Sequence, residues 1–301
     1  MAIVTVRDGE RLSVRVLGRG QPVLMLHGLG MKSSHWLPFI LPHIGRFRFY
    51  MPDFRGGAGE SGSAHLNQAD VFQNHMEDVE DIVRHFRLWN FRLVGYSLGA
   101  STSLHWQRAG GFERVRRYLH IDQSPCVGNR EGWQYGLFGG RQAEFHSFLR
   151  RLLRVLEPYS GQRELRELPL SARQAVLTAL ADILVHVGGR DGVRQVLRLS
   201  AHWPQMLGWL GSMSRLSDIR AYAAAYLRAE HDYRPSLEGC TTPFTLFVGM
   251  RSPLYNPAGQ LAMAHLVKHC RVVRFEQSGH VPLTDEPLKF GREFGHFLRE
   301  P

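Results

Sequence analysis

Cysteine is nearly absent: Cys126, Cys240 and Cys270 are the only three in 301 residues, far apart and odd in number. That scarcity argues against a disulfide framework and any C-x-x-C metal site, and leaves free thiols as the expectation. Lysine is as scarce. Lys32, Lys268 and Lys289 are the only ones among 37 basic residues, so the formal net charge of +10 is carried by arginine. The arginines are dispersed among acids, as in Arg163-Glu164-Leu165-Arg166-Glu167, and no basic stripe is interleaved with stacking aromatics. This pattern describes a solvated surface rather than a nucleic-acid interface, and it leaves open an attraction of anionic substrates or surfaces. The chain lacks a run of about 18 apolar residues and a basic opening followed by an apolar stretch, so neither a membrane span nor a signal peptide is expected. The expected location is the cytoplasm.

What is present describes an ordinary globular chain: 44% hydrophobic and 21% charged residues, long enough for one large α/β domain with or without a smaller insertion. Strand patterns fall at residues 3–6, 12–17, 23–27, 47–51, 91–95, 118–122, 244–249 and 272–276. Several are continuous apolar runs, as expected of parallel strands covered on both faces, and the first two read as an antiparallel pair. Over residues 71–89, Phe72, Met76, Val79, Val83 and Phe86 make one apolar face of a helix, with Asn67 and Asp70 as capping candidates.

From residue 126 to about 235 the strand pattern stops. Phe145, Phe148, Leu149, Leu152, Leu153 and Leu156 form a helical stripe; residues 175–187 and 216–227 read as helices, with Gly188-Gly189 and Gly208 as breaks. Residues 287–298 read as a closing helix. The alternation of strand and helix predicts a doubly wound α/β core from residues 1–125 and 236–301, interrupted by a helical lid at 126–235.

Gly95-Tyr96-Ser97-Leu98-Gly99 follows the apolar run 91–94 and precedes a small-residue segment that can turn helical. A G-x-S-x-G sequence between strand and helix makes a sharp turn that holds the serine out as a nucleophile. Such a serine needs a base, and the base needs a third group to hold its tautomer. Of the 16 histidines, His280 follows the last strand pattern, where its loop returns to the carboxyl edge of the sheet on which Ser97 also lies.

At these residues the chain resembles the α/β-hydrolase superfamily, in its serine esterase and cofactor-free haloperoxidase-like branch. The resemblance rests on Leu26-His27-Gly28-Leu29-Gly30, Pro52-Asp53-Phe54-Arg55-Gly56, Gly95-Tyr96-Ser97-Leu98-Gly99 and Gly279-His280, in that order. It implies a mostly parallel eight-stranded sheet flanked by helices, and an oxyanion hole made by the backbone N–H groups of Leu29 and Leu98. It also implies structural roles for His27, Asp53 and Arg55. The run Gly56-Gly57-Ala58-Gly59-Glu60-Ser61 is one residue longer than the family pattern.

The chain departs from the pattern after the seventh strand. Relatives carry Gly-x-x-Asp there, whereas Gly249-Met250-Arg251-Ser252 puts a serine where the acid should stand. A neutral hydroxyl cannot offset imidazolium charge as a carboxylate does. Asp122, at the end of the sixth strand, is the expected replacement; the alternatives are a structural Asp122 with Ser252 or water orienting the histidine, or a weak site. Asp285 reads as the start of the last helix rather than as the acid.

The expected function is that of a serine hydrolase cleaving a carboxylic ester: Ser97 as nucleophile, His280 as base, Asp122 as acid, with no metal or organic cofactor. Its partner would be a small, partly apolar acyl substrate, and self-association is left open. Trp133, Tyr135, Phe138, Trp203, Trp209 and Tyr222 are candidates to line an acyl pocket under the lid, though core packing is the commoner fate of such residues. Competing readings are an inactive ligand-binding protein of the same fold, an anion- or nucleic-acid-binding protein, and an active C–C hydrolase, thioesterase, lactonase, acyltransferase or perhydrolase.

Overall fold

A computed structural model describes residues 1–57, 59–61, 64–66, 70–186, 192–203 and 215–301. Asn67, Gly188, Gly189, Gly208 and Trp209 lie outside them. The strands are β1 (Ala2–Thr5), β2 (Arg11–Gly18), β3 (Gln21–Leu26), β4 (Phe47–Pro52), β5 (Phe91–Tyr96), β6 (Val115–Ile121), β7 (Phe244–Gly249) and β8 (Cys270–Phe275). They form one sheet in the order β1-β2-β4-β3-β5-β6-β7-β8. β2 pairs antiparallel with both β1 and β4, and every other pairing is parallel.

The continuous apolar runs follow from burial on both faces. Along β3, Val23 and Met25 belong to one core cluster and Leu24 and Leu26 to the other, as successive side chains of a strand point to opposite faces. One face is covered by α2 (Val71–His85) and α3 (Leu98–Arg108), the other by α1 (Leu37–Ile40) and α11 (Pro287–Arg299), whose Phe290, Phe294 and Phe297 are buried. Asp70 caps α2 by accepting from Phe72 N at 3.0 Å. The helix ends at His85, short of residue 89, because Arg87 takes a left-handed φ of 52° and Leu88 N bonds back to Val83 O.

Between β6 and β7 the chain carries α4 (Gln142–Leu156), α5 (Leu170–His186), α6 (Gly192–Ser200), α7 (Leu216–Arg228) and α8 (Arg234–Leu237). Leu152, Leu156, Val176, Leu177, Leu180, Leu197, Leu216 and Ile219 give this insertion its own apolar core. Helix α5 begins five residues before the sequence pattern suggests, directly after Pro169. Two further helices, α9 (Pro257–Met263) and α10 (Pro282–Asp285), flank β8. Asn256 caps α9 by accepting from Ala258 N, with proline at the first helical position. Among the described residues no helix is long and apolar enough to cross a membrane.

Candidate active site

Parallel register brings the site together. Tyr96 on β5 is opposite Ile121 on β6, and Ile121 is opposite Phe247 on β7, so the residues that follow these strands emerge side by side at one edge. Ser97 leaves β5 with φ 51° and ψ −113°, a conformation in which a side chain is strained, and it is the N-cap of α3. Both motif glycines are required by close approach. A Cβ on Gly95 would lie 2.7 Å from Ser103 Oγ, and one on Gly99 would collide with Leu26 O. Asp122 likewise leaves β6 with a left-handed φ of 43°.

Ser97 Oγ is 3.0 Å from His280 Nε2, and His280 Nδ1 is 2.6 Å from Asp122 Oδ2. Asp122 has only acceptors to offer, so Nδ1 carries the proton toward it and Nε2 is left to accept from the serine hydroxyl. The burial is graded: Asp122 is 0% exposed, whereas the His280 side chain keeps 12% and Ser97 is half-buried. The serine residue therefore keeps contact with solvent and Asp122 does not.

β6 and β7 lie between β5 and β8, three inter-strand spacings or roughly 14 Å, so the His280 loop must reach back across the sheet. Tyr96 and Asp285 help to hold it there. Tyr96 donates its hydroxyl to His280 O at 3.1 Å, and Asp285 Oδ2 accepts from Gly279 N at 2.9 Å and Ser278 Oγ at 3.1 Å. Asp285 ends α10 instead of opening the last helix, and it holds the histidine's loop.

Ser252 donates to Asp122 Oδ2 at 2.7 Å, so the hydroxyl at the departed position serves the carboxylate one strand away. Gly249 N and Gln260 Nε2 both donate to Asp122 Oδ1, at 2.9 and 3.0 Å. Next along the chain, Gln123 donates to Ser97 O at 3.2 Å and to Ser101 Oγ at 2.7 Å. Two consecutive residues at the end of β6 thus touch the histidine and the backbone of the serine. Sequence reasoning misses Gln123 and Gln260. The Asn256-Pro257 helix start was the available signal for the second.

The N–H of Leu98 opens α3, in the turn whose amides have no intrahelical acceptor, and the positive end of the helix dipole lies there. The loop bearing Leu29 is adjacent. A Cβ on Gly28 would be 2.8 Å from the Tyr96 ring and 3.3 Å from Ser97 Cβ, and Gly99 N donates to His27 O at 3.1 Å.

His27 Nδ1 bonds Gly28 O at 2.8 Å and Nε2 accepts from Phe54 N at 3.1 Å, so both nitrogens serve backbone; burial lowers its pKa and keeps it neutral. Asp53 accepts from Ser33 N at 2.5 Å and Glu60 N at 2.9 Å. Arg55, fully buried, pairs with Asp78 at 2.5 Å and Asp8 at 2.6 Å, and these carboxylates raise its pKa against the effect of burial.

Of the aromatic residues in the insertion, Phe138 packs with Phe145 in an apolar cluster that includes Tyr255, and the Tyr255 ring centroid is 6.0 Å from that of His280. Tyr222 bonds His75 Nε2 at 2.8 Å. Trp133 packs under Arg234 and, with Tyr135, against Gly259, while Trp203 is 53% exposed.

Comparison with known proteins finds enzymes similar to this chain in sequence and in fold. The chain is 24% identical over 284 residues to a pimeloyl-(acyl-carrier protein) methyl ester esterase of Aliivibrio salmonicida, with 94% of each chain covered. It is 26% identical over 146 residues to a non-heme haloperoxidase of Rhodococcus erythropolis, covering 46% of this chain and 52% of that one. An esterase structure from Exiguobacterium antarcticum superposes with a TM-score of 0.72 at 19% identity, covering 99% of both chains. The family model described as alpha/beta hydrolase fold matches residues 21–287. With the strand order, the strand–serine–helix turn and this match over most of its length in accord, the chain belongs to the alpha/beta hydrolase fold family.

Proposed function

We propose that the protein hydrolyses a carboxylic ester through an acyl-enzyme on Ser97. The observation that carries this reading is the unbroken hydrogen-bonded line from Ser97 Oγ through His280 to a fully buried Asp122. His280 Nε2 takes the hydroxyl proton as Oγ attacks the ester carbonyl, and Asp122 steadies the imidazolium through Nδ1–H. The N–H groups of Leu98 and Leu29 hold the oxyanion, aided by the dipole of α3; fixed donors of this kind are each worth about 3 kcal/mol in the transition state. The proton then passes from Nε2 to the departing alkoxide, which leaves as alcohol. Water, deprotonated by the same nitrogen, attacks the acyl group and releases the acid with Ser97 restored.

The insertion at 126–235 acts as a lid, and the apolar cluster that Phe138 of the insertion shares with Tyr255, beside His280, is the support for placing the acyl group beneath it. The named activity of the Aliivibrio salmonicida relative makes esters of small alcohols the first substrates to try.

Stoichiometric labelling by a fluorophosphonate, together with turnover of p-nitrophenyl acyl esters, tests the reading. Both should disappear in Ser97→Ala. Turnover that survives that change, or a folded parent protein that neither labels nor turns over, would sink it.

A further inference from the structure

The Asp122 carboxylate accepts from four donors: Gly249 N and Gln260 Nε2 on Oδ1, and Ser252 Oγ and His280 Nδ1 on Oδ2. A carboxylate has about four lone-pair sites, so its capacity is filled. We propose that Gln260 and Ser252 are positioning residues for ester hydrolysis, acting through Asp122 to fix the plane of its carboxylate and hence the ring of His280. This rests on the reading of His280 as the base.

The terminal torsion of an aspartate is broad, and one amide donor on one oxygen does little to narrow it. A second donor on Oδ1 from α9 and a hydroxyl on Oδ2 from the loop after β7 grip the group from two elements that Asp122 does not belong to. Gln260 is 1% exposed and Ser252 9%, so water is a poor substitute for either.

The amide of Gln260 is itself oriented. Nε2 faces two acceptors, Asp122 Oδ1 and Tyr255 O, each at 3.0 Å, so turning the amide over would set oxygen against oxygen. Its Oε1 is buried with no hydrogen-bond partner among the described residues. A buried unmet acceptor is a cost that packing alone would avoid with leucine, so the amide is explained by what its nitrogen holds. The same helix turn supports Tyr255, whose ring lies beside His280.

The test is steady-state kinetics of the full chain on p-nitrophenyl acetate, with the concentration of reactive serine fixed by fluorophosphonate titration. For Gln260→Leu, kcat per titrated serine should fall about 10- to 100-fold, and for Ser252→Ala about 3- to 10-fold, with KM within about twofold, as for loss of hydrogen bonds to a charged group that matter in the transition state. A purely structural role would lower the titratable fraction and leave kcat per titrated serine unchanged, and that result in both variants overturns the proposal. Ser97→Ala separates the two readings. Activity surviving there removes the underlying site and this inference with it, whereas an inert Ser97→Ala beside full kcat in both variants removes this inference alone.

Discussion

Two histidine–aspartate pairs lie at the same edge of the sheet, and they differ in what else each partner holds. His27 and Asp53 approach to 4.0 Å, but the ring serves Gly28 and Phe54, the carboxylate serves Ser33 and Glu60, and both residues are 1% exposed. His280 and Asp122 meet at 2.6 Å, and the far nitrogen of His280 faces a half-buried serine instead of a peptide. A ring whose two nitrogens are committed to backbone cannot accept a proton from substrate or nucleophile without breaking the loop it holds. The first pair therefore fixes the shape of the edge, and the second is free to move a proton across it.

The comparison is broken most severely through the serine. Ser97→Ala should lower kcat by about 10⁴- to 10⁶-fold, measured on p-nitrophenyl acetate, with the thermal midpoint nearly unchanged. Asp122→Asn should cost about 10⁴-fold in kcat by favouring the wrong tautomer of His280, whereas Asp53→Asn should leave kcat per titrated serine within about tenfold. Equal losses in the two asparagine variants would erase the distinction between the pairs.

The structural pair is probed by stability. His27→Phe leaves the buried Phe54 N–H without its acceptor and should cost about 1–3 kcal/mol in urea unfolding. A change below a few tenths of a kcal/mol would mean that the ring does not hold the loop.

The smallest effect is one of pH. Burial pushes His75 down to about 3 and His120 down to about 4 from the ordinary 6.5. Below pH 6.5 the unfolded chain binds protons that the folded chain refuses, so stability is complete above that value and falls as pH drops toward 4. The loss is about 1.4 kcal/mol per pH unit for each group. His120→Gln should flatten the urea midpoint between pH 6 and 4.5 by one such contribution, and a profile as steep as the parent's would contradict it.

Much of this was legible along the chain. All eight strands lie within three residues of their patterns at each end, because strands covered on both faces need unbroken apolar runs. The serine was legible because a strand, two small residues and a helix start can meet in few ways. Helix α6 and the first turn of α5 were not: α5 shows little contrast between its faces, and α6 is only nine residues long and leaves Val196 and Leu199 exposed. Gln123 and Gln260 were invisible for a different reason: a glutamine carries no mark of the backbone or carboxylate it will reach.

By itself the sequence determined the sheet, the turn that presents Ser97, and the absence of a carboxylate at Ser252, since each is written in local spacing and residue type. Only tertiary structure decided which histidine faces the serine and which aspartate stands behind it. Those choices depend on strands far apart in the chain lying side by side, and on whether neighbouring backbone has already taken the ring nitrogens.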